Sequence, residues 1–157
     1  VEMRPEYPAG HYYLGRFYLL KKQKYEEAIE ELKLFKYWIK EGISRVEEAK
    51  TKEAQHKNFI NASRYIAYVY LEVLNKPAHA VRELEGLVHG MPVDDPEVYY
   101  DLGAAYLRDK KRISAYQAFQ KALSMNPKEE LKKKAEEAIE VIRAYPDEGG
   151  YTKPRGW

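Results

Sequence analysis

The sequence predicts an all-α fold built from paired helices, and three observations carry that expectation. From Pro8 to Tyr145 the apolar residues recur at intervals of three and four, the period of one helix face, and nothing alternates as a strand would. The turn signals, Gly42, Asn75-Lys76-Pro77, Gly90 to Pro92 and Asn126-Pro127, fall between these periodic segments. In "VYYDLGAAYLRDKKRISAYQAFQKALSMNP", residues 98 to 127, small side chains alternate with rings. Gly103, Ala104 and Ala105 stand among Tyr99, Tyr100 and Tyr106, and then Ala115 and Ala122 flank Phe119. Two helices approach closely only where one offers Gly or Ala, and large rings fill the space beside the contact.

The elements follow in order. A first helix is expected from about Ala9 to Lys22, with Leu14, Phe17 and Tyr18 on its buried side. A second begins near Lys24 and carries the stripe Tyr25, Ala28, Ile29, Leu32, Phe35, Trp38 and Ile39, with Gly42 as its C-terminal cap. Ser44-Arg45-Val46-Glu47 has the form of a capping box, so a third helix should start there. The polar stretch 51–57 reads either as helix or as loop, and helix is favoured. No Gly or Pro occurs between Ser44 and Asn75, Glu48 with Lys52 and Glu53 with Lys57 form i, i+4 pairs, and the stripe keeps phase from Val46 to Leu74. One long helix from about Arg45 to Leu74 is therefore predicted, its first half projecting. Pro77 opens a helix to about His89 through Ala80, Val81, Leu84, Leu87 and Val88. Asp95 caps the next, with Pro96 at its first position, and its partner runs from near Arg112 to Asn126. Asn126-Pro127-Lys128-Glu129 repeats the capping pattern before a last helix with Leu131, Ala135, Ala138, Ile139 and Ile142 on one face. Residues 146–157 have the composition of a loose tail.

Composition narrows the chemistry. The 157 residues suffice for one domain with a sizeable core and are too few to suggest two. Apolar residues make up 45% and charged residues 33%, the balance of a globular protein. The 27 basic and 25 acidic side chains are spread along the chain, so no basic field stands ready for a nucleic acid. Cysteine is absent, which removes disulfides and thiolate chemistry, and His11, His56, His79 and His89 never form an i, i+4 pair for a metal. No cofactor is expected. No apolar run approaches the roughly 18 residues of a membrane span. The sequence begins at Val1 with Met3 the only early methionine, which leaves its natural start open, and the compartment is open too, with the cytoplasm the default.

Residues 96 to 127 resemble the tetratricopeptide repeat, a helix-turn-helix unit of about 34 residues. Tyr99, the pair Leu102-Gly103, and Tyr106 stand at the family's places on the first helix, and Ala115, Phe119, Ala122 and Pro127 on the second. Two looser matches precede it. One has Leu14-Gly15, Tyr18, Ala28 and Leu32, with His11 in place of the leading aromatic; the other has Ile66-Ala67, Tyr70, Ala80, Leu84 and Pro92. Each carries one residue more than the family spacing before its second helix. Gly15, Ala67 and Gly103 are spaced 52 and then 36 apart, so an insertion of roughly sixteen residues lengthens the middle unit. The resemblance implies a right-handed solenoid of antiparallel helix pairs over 1–145, with units at about 8–42, 43–93 and 94–127, one elongated helix, a capping helix at 128–145 and a flexible tail at 146–157.

It also implies a concave groove lined by the first helix of each pair. Mapped by the repeat, Tyr12, Arg16, Arg64, Tyr65, Tyr68, Tyr100, Ala104 and Arg108 lie on or near it. Arg and Tyr anchor interfaces because each joins a large contact area to a directional polar group. The expected guest is a protein or peptide bearing an acidic or C-terminal carboxylate, held by an adaptor with no catalysis of its own. A regulatory or self-assembly domain of a larger protein is the alternative. Some family members clamp chaperone tails with Lys and Asn in the groove; that set is absent here. Asp94-Asp95 has no base or nucleophile partner visible in sequence, and the Lys and Glu runs of 128–137 read as a solvated face.

Overall fold

The computed structural model describes residues 8–22, 24–41 and 49–144, and among them helices joined by short turns account for the fold, with no strand. The chain divides into two compact units, Val1–Asn75 and Lys76–Trp157.

In the first unit, α1 (Pro8–Phe17) continues into a π-helical turn at Tyr18–Lys22, α2 spans Tyr25–Lys40, and α3 (Ala49–Tyr68) continues into a second π-helical turn at Val69–Val73. The expected stripe of α2 goes inside: Ala28, Ile29, Leu32 and Phe35 are buried, and Tyr25, Trp38 and Ile39 half-buried. α1 differs from expectation. Leu14 and Tyr18 are only half-buried and Phe17 is exposed, whereas His11, Tyr12, Gly15 and Leu19 are buried. The cause is the approach of α1 to α2 at Gly15, where an added Cβ would lie 2.8 Å from Leu32 Cγ and 3.2 Å from the Ala28 carbonyl oxygen. Residues one turn either side of that contact are carried inward with it. His11, buried there, meets Glu31 of α2 through Nδ1 and Oε2 at 2.6 Å. Tyr12, Leu19, Leu32, Phe35, Ala62, Ile66 and Val69 join in one core.

The polar stretch 51–57 is helix. Lys52, Glu53, Ala54, His56 and Lys57 are exposed, Gln55, Asn58 and Phe59 are half-buried, and Ile60 is buried. The expected cap at Gly42, the capping box Ser44–Glu47 and the helix start at Arg45 lie outside the described residues. The π-helical turns fall where the sequence holds a residue too many: Gly15 to Ala28 and Ala67 to Ala80 are each 13 apart, against 12 from Gly103 to Ala115. A helix absorbs one extra residue by widening a single turn to i→i+5 hydrogen bonding, as in the Leu74 N–H donated to the Val69 carbonyl at 2.9 Å.

The second unit holds α4 (Pro77–Gly90), α5 (Pro96–Arg108), α6 (Arg112–Ser124) and α7 (Glu129–Ala144). Pro77 and Pro96 sit in the first turns of α4 and α5, where a missing N–H costs nothing, and Asp95 Oδ1 accepts from the Glu97 N–H at 2.9 Å. α5 and α6 meet at Gly103, whose added Cβ would stand 2.7 Å from Phe119 Cε1. The α5–α6 turn closes as a Schellman motif. Lys110, at φ 60°, donates its N–H to the Leu107 carbonyl at 3.2 Å, and the Lys111 N–H reaches the Tyr106 carbonyl at 2.8 Å. Asn126 does not cap α7 as its sequence pattern suggests. Its φ of 50° is left-handed, so it ends α6, and the Lys128 carbonyl accepts the first α7 bond, from the Lys132 N–H at 2.9 Å. α7 lays Ala135, Ile139 and Ile142 against Ala115 and Phe119. The tail at 146–157 lies outside the described residues.

Candidate functional site

Three of the sequence-nominated residues come together in the first unit, around Arg16. The Arg16 guanidinium lies over the Tyr12 ring at 5.6 Å from its centroid and over the Tyr65 ring at 5.7 Å. Both distances are within cation–π reach. α1 supplies Tyr12 and Arg16 four positions apart, one turn, and α3 supplies Tyr65 from across the helix pair.

Tyr12 is 2% exposed, packed on Phe35 at 5.1 Å and edge-on to Tyr13 at 5.6 Å, so it offers a partner no surface of its own. Its part is to support Arg16. Burial pushes its hydroxyl above the ordinary value of 10.0, against the downward pull of a hydrogen bond with the Asn61 side chain and of the nearby Arg16 charge. At neutral pH it is therefore an uncharged ring and does not neutralise the guanidinium. Arg16 makes no hydrogen bond or ion pair among the described residues, and its Nε is buried without a partner. The side chain as a whole is half-buried. An arginine held by two rings, with no acid matched to it among the described residues, has the chemistry to receive a carboxylate.

Tyr65 and Arg64 are half-buried, and Tyr68, one turn after Tyr65, is 54% exposed. Tyr100 and Arg108 belong to the second unit. The Tyr100 ring rests on Phe119 at 5.5 Å, and Arg108 is exposed at the end of α5. Asn61 went unnominated because an Asn on a long polar helix gives no sequence signal; only the fold brings it to Tyr12.

In the second unit the Tyr106 hydroxyl donates to Glu85 Oε1 at 2.5 Å, tying α5 to α4. Burial, then the hydrogen bond and charge of Glu85, raise that hydroxyl far above its ordinary range. Among the described residues no three His, Asp or Glu side chains gather as a metal site needs, and no helix is long and apolar enough to cross a membrane. No family model matches the sequence, and no curated protein does.

Proposed function

We propose that the chain is a non-catalytic binding module that recognises an acidic segment of a partner protein, with Arg16 as the anchoring cation. Its helix pairs act as units of a right-handed solenoid of the tetratricopeptide kind. The close approaches at Gly15 on Leu32 and Gly103 on Phe119 support that architecture, because both pairs place glycine where the repeat pattern has its small residue. The observation carrying the functional reading is the Arg16 guanidinium held by Tyr12 and Tyr65, its Nε buried and no carboxylate matched to it among the described residues. A partner carboxylate supplies the missing acceptor, and the rings keep the guanidinium ordered before it arrives, which lowers the entropy cost of binding. Tyr65 and Tyr68 provide aromatic area beside the charge.

The test is fluorescence anisotropy with a labelled glutamate-rich hexapeptide at low salt. A charge-assisted hydrogen bond contributes about 1.5–3 kcal/mol, so Arg16→Gln should weaken binding by roughly 10- to 100-fold while leaving the melting curve unchanged. Equal affinity in the variant removes Arg16 from the site.

A further inference from the structure

The outer face of α1 carries an apolar stripe that the core does not use. Tyr13 is 61% exposed, Phe17 45% and Leu20 59%. They follow one another at intervals of four and three, so they lie along one side of the helix and its π-helical continuation. Large apolar side chains exposed singly need no explanation, but three in a helical row present a contiguous face.

The helix that carries this stripe is basic along its own length. From Pro8 to Lys24 the sequence contains no Asp or Glu and four Lys or Arg. Arg16 stands three positions after Tyr13 and four before Leu20, so its place on the helix flanks the middle of the stripe. Lys24 is exposed at the end of the segment, its Nζ 5.5 Å from the Tyr18 ring centroid.

We propose that Tyr13, Phe17 and Leu20 seat an acidic amphipathic helix of a partner protein, whose apolar residues lie along the stripe while a carboxylate on its flank reaches Arg16. The proposal rests on the carboxylate reading of Arg16 and adds the conformation and the contact face of the guest. Charge selects among occupants. A second copy docking through the same face would set Arg16 and Lys24 against their own counterparts, whereas an acidic helix complements them. Apolar anchors at i, i+3 or i+4, and i+7 are what a helix offers to such a face.

The probe is a labelled 14-residue peptide of Glu, Ala and Leu with leucines at i, i+4 and i+7, beside a scrambled peptide of the same composition. The proposal expects the patterned peptide to bind at least tenfold tighter than the scrambled one and to gain helical circular dichroism on binding. Tyr13→Ser with Leu20→Ser, both exposed positions, should remove that tenfold preference while the glutamate-rich hexapeptide binds as before. Phe17→Ser alone serves as a second variant should the double change lower the melting temperature. Equal binding of patterned and scrambled peptides overturns the helix proposal and leaves Arg16 standing. A hexapeptide insensitive to Arg16→Gln, with the patterned peptide still preferred, removes the carboxylate contact instead. A dimer in sedimentation that Phe17→Ser dissociates, or patterned-peptide binding only after deletion of residues 1–7, shows the face closed by a second copy or by the chain itself, and either overturns the proposal.

Discussion

Adding one methyl group at Gly103 should destabilise the second unit, although alanine is the better helix former. In a helix interior, Gly→Ala alone favours folding by about 1 kcal/mol. At Gly103 the new Cβ would lie 2.7, 2.8 and 2.9 Å from Cε1, Cδ1 and Cζ of Phe119. That ring is buried and hemmed in by Ala115, Ala135, Ile139 and Ile142, so it cannot swing aside. Overpacking of this kind costs about 1–3 kcal/mol, and contacts this short belong to the upper part of that range. The net loss is about 1–2 kcal/mol, or a fall in Tm of roughly 4–16 °C for a unit of this size. Gly86 supplies the internal control. It lies in α4 of the same unit, an added Cβ there meets nothing within 4 Å, and Gly86→Ala should stabilise by about 1 kcal/mol. Thermal and urea melts of both variants give the comparison. Adding Phe119→Leu should relieve part of the Gly103→Ala loss, with a coupling of about 0.5–3 kcal/mol in a double-mutant cycle. If Gly103→Ala melts at or above the parent, the close approach of α5 and α6 is not what selects glycine.

Three other perturbations bear on different parts of the chain. The Ser63 hydroxyl is buried with no partner among the described residues, so Ser63→Ala should stabilise the first unit by about 1 kcal/mol in urea melts. Lys110 holds a φ of 60° that costs a side-chain-bearing residue about 1–2 kcal/mol, and Lys110→Gly should recover about 1 kcal/mol of it, measured the same way. The Tyr106 hydroxyl, raised by burial and then by Glu85, contributes stability that is full below its ordinary value of 10.0 and is lost as pH climbs from there toward its folded value. Urea melts from pH 8 to 11 should show a decline that Tyr106→Phe flattens, and an identical decline in both proteins would refute the assignment.

Much of the helical framework was legible in the sequence because its signals were local. Pro77 and Pro96 open helices by having no N–H to lose, and Asp95 caps α5 by a bond two residues away. The polar stretch 51–57 was legible as helix from the absence of breakers, not from burial, and Lys52, Glu53, Ala54, His56 and Lys57 remain exposed. Asn126 reads in sequence both as the end of α6 and as a cap for α7; its left-handed φ bears out the first and not the second, and only φ separates them. The Arg16 cluster was half legible. The repeat spacing nominated Tyr12, Arg16 and Tyr65, yet whether each ring faces a partner or supports the cation depends on the distance between α1 and α3, which no local pattern contains.

Which face of α1 turns inward follows from a competition between two physical criteria. Hydrophobicity alone assigns Leu14, Phe17 and Tyr18 to the interior, since they are the large apolar residues at helical spacing. Fit to α2 assigns the interior differently, because the helices touch at Gly15 and that contact also fixes which neighbours turn inward. Fit prevails. A histidine is buried and paired with Glu31, a phenylalanine is left 45% exposed two positions beyond the contact, and Tyr13 and Leu20 stay outside with it. Gly→Ala at position 15 separates the criteria further. The new Cβ presses on Leu32 Cγ at 2.8 Å and Cδ2 at 3.0 Å, the far part of a flexible side chain, but also on the Ala28 carbonyl at 3.2 Å, which is backbone and cannot rotate away. The helices must part slightly, so Gly15→Ala should weaken the His11–Glu31 contact and raise the solvent access of Tyr12, even as the exposed stripe of Tyr13, Phe17 and Leu20 keeps its place.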